Sequence, residues 1–206
     1  MFEEFQVKYC LTQASRPDRT EQFKAEAKAF NIDFEFFYSL PGKSCPEDVG
    51  RERFDSFCKS QLGMLQQFQN TGKRNLLCFE DDCIFVNTIY FARAFKELPD
   101  DWDILYLGAN VTDPHPEKYS KHLRKIRSAW TTHGIAYSRK MVDHIVSNYK
   151  SWEESGMYDD WLSNNILPVF NCFVTVPMIA YQRPVYSDLW QKEVNYGWIE
   201  IDKKLL

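Results

Sequence analysis

Three consecutive carboxylates, Glu80-Asp81-Asp82, follow directly on the apolar run Leu76-Leu77-Cys78-Phe79. Two like charges about 4 Å apart repel by about 1 kcal/mol in water and about 4 kcal/mol at an effective dielectric of 20. A divalent cation turns that cost into coordination energy, and ligands that are all oxygen suit magnesium or manganese. If the strand pleat persists, Glu80 and Asp82 point to one face and Asp81 to the other. The plainer alternative is a solvated acidic turn, but a place at the carboxyl end of a strand favours the ion. A second group lies in Thr12-Gln13-Ala14-Ser15-Arg16-Pro17-Asp18-Arg19. Two arginines beside a helix N-terminus can hold a pyrophosphate through guanidinium contacts and the backbone dipole. On these residues alone, the plainer reading, a helix cap with solvated arginines, is favoured.

Positioning these groups falls to alternating strands and helices. Residues 5–12 alternate with period two, as a strand does. Asp18 and Glu21 have capping-box spacing, and Phe23, Ala27 and Phe30 then mark one helical face. Asp33 to Ser39 forms an aromatic strand closed by Pro41-Gly42. A long helix follows, with Phe54, Phe57, Leu62, Leu65 and Phe68 inward. Asn75 to Phe79 is a strand, Ile89, Ala92 and Phe95 mark a helix, and Trp102 to Gly108 is a further strand. Residues 110–125, with His115 between prolines, are expected to form a mobile surface loop. Ile135 to Ser138, the helix carrying Met141 to Val146, a short helix after Tyr158 and the strand Cys172 to Val176 complete the regular elements. The tail from Tyr181 reads as irregular. This alternation predicts a mostly parallel α/β sheet covered on both faces, with its ligand crevice at the carboxyl strand ends, just after Thr12, Phe79 and Leu107.

The 206 residues suit one domain, residues 1–206, with a nucleotide-binding half to about 108 and an acceptor-side half beyond. The 25 Lys and Arg residues against 29 Asp and Glu leave a net charge of −4, which argues against a surface that tracks nucleic acid. No run approaches a membrane span, and the N-terminus lacks a signal-peptide pattern, so at most peripheral membrane association is expected. Cys10, Cys45, Cys58, Cys78, Cys83 and Cys172 are scattered without zinc or disulfide spacing, which points to free thiols and a reducing, cytoplasmic setting.

Taken together, Val7-Lys8-Tyr9-Cys10-Leu11-Thr12 with Arg16 and Arg19, the run Leu76 to Asp82, Thr132-His133-Gly134-Ile135-Ala136-Tyr137-Ser138-Arg139 and Ser187-Asp188 resemble glycosyltransferase family 25. That is the lipopolysaccharide-type galactosyl- and glucosyltransferase group to which collagen galactosyltransferases are related. The resemblance spans about residues 5 to 190. It implies a GT-A fold with a Rossmann-like half, a UDP-sugar donor and a manganese (or magnesium) ion on a DXD-like acidic motif. It further implies inverting transfer to a hydroxyl of a glycan, glycolipid or glycoprotein. By position, Asp82 would bind the metal, while Glu80 would support the ribose, or the metal through water. Thr12, Arg16 and Arg19, with Asp81 beside them, would flank the nucleotide. Cys83 stands where an aliphatic residue is usual.

Inverting transfer needs a base on the far side of the sugar, and Asp159 and Asp160 are the candidates, Asp160 slightly ahead. An acidic helix start is their alternative. Gly134 could let a strand approach the donor sugar or simply open a strand. Asp188 could complete the metal or phosphate site or cap a turn. His133 could touch phosphate or metal but is expected to be structural, and His144 to pack or face solvent. Trp190, Tyr196 and Trp198 could form an acceptor platform, though packing of the tail on the core is favoured. Two other functions fit the same residues: a catalytically silent sugar- or nucleotide-binding module, and a metal-dependent phosphohydrolase or nuclease.

Overall fold

The computed structural model describes residues 1–42, 48–149, 157–195 and 197–205, so Cys45 and Tyr196 lie outside the described residues. Strand β1 (Val7–Thr12) leads into α1 (Pro17–Ala29), then β2 (Glu35–Tyr38), α2 (Val49–Gln69), β3 (Asn75–Glu80) and β4 (Cys83–Phe85). After α3 (Phe91–Lys96) come β5 (Ile104–Val111), β6 (Glu117–Lys118), β7 (Leu123–Lys125) and the ten-residue β8 (Ala129–Ser138). The chain closes with α4 (Arg139–Asn148), α5 (Tyr158–Asn165), β9 (Cys172–Thr175), β10 (Ala180–Gln182), β11 (Val185–Ser187), β12 (Lys192–Val194) and α6 (Trp198–Leu205).

Eight strands form one sheet in the order β2-β1-β3-β8-β5-β9-β7-β6. All but β8 and β7 run in the same direction. The fold is α/β with a mostly parallel central sheet between two helical layers. The pleat divides the core. Leu76 and Cys78 of β3 face the side packed by α2, α4, α5 and α6, whereas Leu77 and Phe79 face the side of α1 and α3. That second side is rich in phenylalanine: Phe79 packs on Phe2, Phe23 and Phe85 with ring centroids 5.3–6.0 Å apart. Burial of each such ring is worth about 1.5–3 kcal/mol, so β3 is held rigidly up to the residue before Glu80.

Several local expectations change. Helix α1 begins on Pro17, with Arg16 as its cap residue, so Asp18 sits in the first turn and accepts from Arg16 Nε and Nη2 instead of capping. Ile89 is 79% exposed, and α3 buries Phe91 and Ala94 instead of Ala92. Residues 110–125 are not a loop throughout: β7 pairs with β9 and β6 extends the sheet edge. Glu97, which follows α3, holds that segment by accepting from Ser120 Oγ, His122 N–H (2.8 Å) and His122 Nδ1 (2.6 Å). Nor is the tail irregular. Strand β10 pairs with β4, β11 with β12, and Trp198 is buried, donating Nε1–H to the Gln182 carbonyl at 2.9 Å.

Strand β10 lies close over the main sheet. A Cβ on Gly108 would fall 1.8 Å from the Ala180 carbonyl oxygen, a distance no side chain tolerates. Only glycine fits beneath that carbonyl. Among the described residues no helix is long and apolar enough to cross a membrane, and Cys10, Cys58, Cys78, Cys83 and Cys172 are buried free thiols.

Candidate functional site

A cavity of about 590 Å³ opens where β1 and β3 end and β8 begins. Because β8 runs antiparallel between β3 and β5, it brings its first residues, Thr131 and Thr132, to the edge where its neighbours finish. The site after Leu107 does not take part; Gly108 sits under β10. The lining combines Thr12, Arg19, Glu80, Asp81, Asp82, Asp159, Gln182 and Asp188 with Arg53 and Glu52 of α2. Six carboxylates against two guanidiniums make this an acidic pocket, and its size suits a small-molecule ligand.

The three motif acids part company here. Glu80, the last residue of β3, accepts from Thr132 Oγ1 at 2.6 Å. Asp81 follows the Phe79 face toward α1, where it accepts from Thr12 Oγ1 (2.7 Å) and Arg19 Nη1 (3.1 Å). Past Glu80 the strand gives way to a two-residue turn, so Asp82 is placed by that turn and by β10 instead of the pleat. Its backbone carbonyl accepts from Arg183 N–H (2.7 Å) and its Oδ2 from Gln182 Nε2 (2.9 Å). Asp82 Oδ1 and Gln182 Oε1 are buried with no hydrogen-bond partner among the described residues. Each unmet acceptor costs about 1–3 kcal/mol.

Burial, and then the charge of Asp82, pushes the Glu80 carboxyl well above the usual carboxylate range. Asp82 is raised chiefly by its own burial, opposed by the Gln182 hydrogen bond. Burial also raises Asp81 against the donations from Thr12 and Arg19. The floor is therefore a place where negative charge is costly and compensation is incomplete. Among the described residues no three His, Cys, Asp or Glu side chains converge to cage an ion. Glu80 and Asp82 nonetheless fit magnesium or manganese, which are commonly held by one or two carboxylates with phosphate oxygens completing the shell. The unmet Asp82 oxygen is the feature that fits a cation.

Asp188 stands apart from that pair. It accepts from Arg16 Nη1 and lies 3.9 Å from Arg19 Nη2, whose other terminal nitrogen serves Asp81. Arg19 Nη2 also donates to the Tyr186 carbonyl. The two arginines thus tether the β11–β12 hairpin; Arg19 lines the cavity and Arg16 lies behind it. Asp159 lines the cavity and Asp160 does not. Asp159 Oδ2 accepts from Thr131 N–H (3.2 Å), and burial raises its carboxyl above the usual range. Thr131 itself has φ +71°, a left-handed conformation that strains a β-branched residue. Such strain is typical of functional sites.

Other candidates fall away from the pocket. Gly134 is buried in β8, where an added Cβ would meet Ala180 Cβ at 3.1 Å, so its smallness serves packing of β10. His133 is fully buried, 3.3 Å from the Ala180 carbonyl and against the Trp198 ring, and burial lowers it to about 4. His144 packs on Phe170. Trp198 belongs to the core, whereas Trp190 is 49% exposed and lines the pocket, edge-on to Phe54. Gln182, Arg53 and Thr131 carry no sequence signal and enter only through the fold.

No protein-family model matches the chain, and no curated protein matches it. Among solved structures it is similar to a glycosyltransferase involved in the glycosylation of the major capsid of PBCV-1, at 9% identity over 97% of this chain and 98% of that one, with a TM-score of 0.49. It is similar to A197 from STIV at 10% identity, over 91% and 92%, with a TM-score of 0.48. A nucleoside-diphosphate-sugar pyrophosphorylase from Vibrio cholerae is similar at 10% identity, over 96% and 81%, with a TM-score of 0.46.

Proposed function

We propose that the chain is a metal-dependent glycosyltransferase of the family 25 type that moves a hexose from a UDP-sugar to a hydroxyl of a glycan, glycolipid or glycoprotein. The observation that carries this reading is the desolvated pair Glu80 and Asp82, short of donors, in a cavity shared with Arg19 and Asp159. An acidic pocket repels a diphosphate unless a cation is bound with it. Glu80 and Asp82 would hold magnesium or manganese, which would offset the charge that builds on the leaving diphosphate.

The chain's own groups do the rest. Arg19, with Arg16 behind it, is placed to bind phosphate oxygens once Asp188 yields. Thr12 holds Asp81 in place. Asp159 takes the proton of the acceptor hydroxyl while its oxygen bonds to the anomeric carbon and the bond from that carbon to the diphosphate breaks. A carboxyl raised by burial is a better base for that step than an ordinary one. Asp159 is preferred to Asp160 because only Asp159 faces the cavity. The exposed face of Trp190 offers the acceptor sugar a stacking surface.

A thermal-shift screen of nucleotide sugars, with and without manganese, tests the reading. A donor at a hundredfold excess over its Kd stabilises by about 2.7 kcal/mol, and the shift is expected to need the ion. No shift with any UDP-sugar and manganese, together with no UDP release in the presence of acceptor glycans, would overturn it.

A further inference from the structure

One hydrogen-bonded pair in the floor of the cavity has an unmet oxygen on each partner. Gln182 Nε2 donates to Asp82 Oδ2, and the remaining oxygens, Asp82 Oδ1 and Gln182 Oε1, are both shut off from solvent without a partner among the described residues. Both side chains line the cavity, and Asp82 is 7% exposed. Arg19, the nearby cation, is engaged elsewhere. Its Nη1 serves Asp81 at 3.1 Å and stays 4.0 Å from Asp82 Oδ2, and its Nη2 serves the Tyr186 carbonyl.

We propose that Gln182 supplies the uncharged oxygen of a divalent-cation site whose charged oxygens come from Asp82 and Glu80. Amide carbonyls are established ligands for hard cations. An amide oxygen adds a dipole to the site without adding to the repulsion between the two carboxylates. Its placement is built into the backbone. Gln182 pairs with Cys83 across β10 and β4, Arg183 N–H clamps the Asp82 carbonyl, and Trp198 Nε1–H clamps the Gln182 carbonyl. The amide is thus held beside Asp82 before any ion arrives, and a preformed ligand loses little freedom on binding. Gln182 has this role only if the cation binds as proposed above.

Manganese uptake, read by loss of the free-ion EPR signal with and without UDP, separates the two claims. Wild-type chain is expected to bind manganese, and Asp82→Asn to bind it at least about tenfold more weakly. Gln182→Leu is expected to weaken binding by about tenfold or more, in the range seen when metal-site neighbours are removed. Gln182→Glu, which restores an oxygen, should bind close to wild type. Wild-type affinity in Gln182→Leu, with the loss confined to Asp82→Asn, overturns the role of Gln182 and leaves the cation site standing. No uptake by the wild type even with UDP overturns the cation site and Gln182 with it. Metal-free melting curves show which variants fold. If Gln182→Leu does not, Gln182→Met, of similar length but without the amide oxygen, takes its place: uptake weakened by about tenfold supports the role, and wild-type affinity overturns it.

Discussion

Glu97, partly exposed, and Glu80, in the cavity floor, both sit at the end of a regular element, yet the protein treats their charges in opposite ways. Glu97 gathers three donations from Ser120 and His122. Burial alone would raise it, but those donations win and its carboxyl lies below the usual range. Glu80 receives one hydroxyl and faces Asp82, so burial and repulsion both raise it. The first is a pin that fastens residues 120–122 to the end of α3. The second is left undercompensated, at a cost to stability that protonation or a bound cation would relieve. Natural proteins carry such local conflicts where function requires them.

The contrast can be broken most forcefully at Asp82. Asp82→Asn is expected to cut transfer by about a thousandfold, since an ion's several kcal/mol of charge stabilisation would be lost. The same change is expected to raise the metal-free melting temperature, because it removes a buried charge beside Glu80. Steady-state assays and calorimetry on one sample check both halves. Next in size, Asp159→Asn should lower kcat by at least about a hundredfold, with Asp160→Asn close to wild type. Equal losses in the two variants would remove Asp159 from its role.

At the satisfied end, Glu97→Ala should destabilise the fold by about 1–3 kcal/mol in urea unfolding while leaving the donor KM unchanged. The pH dependence has opposite signs at the two glutamates. Glu97, lowered in the folded state, contributes stability that is present above its ordinary value near 4.5 and lost as pH falls through its folded value. Glu80, raised in the folded state, is least costly below about 4.5, and stability is lost as pH rises from there to about 8. Melting temperatures of the metal-free protein across pH 4–9 should therefore flatten on the alkaline side in Glu80→Gln and on the acidic side in Glu97→Ala.

The contrast also marks what a sequence discloses. The apolar run ending in three acids and the arginine-bearing loop are each contiguous in sequence; period-two alternation places the loop at a strand end, and a short apolar run does the same for the acids. Asp159 and Asp160 are adjacent at a helix start, so only the docking of α5 against β8 decides which faces the cavity. Gln182 lies a hundred residues from its partner Asp82 and reaches it through a three-residue strand, too short to announce itself. Residues 117–125 read as polar because an edge hairpin need not bury its outer side chains. The same logic hid β10 to β12 in an aromatic tail.

Gly108 touches none of the reacting groups, yet the gap above it sets the height at which β10 rides, and β10 carries Gln182 into the pocket. A methyl group there would act as a wedge, levering the strand outward and prising the amide from Asp82. Gly108→Ala is therefore expected to lower both the melting temperature and manganese uptake while every lining residue stays chemically intact. The grip on an ion is tuned, at a distance, by an atom the chain leaves out.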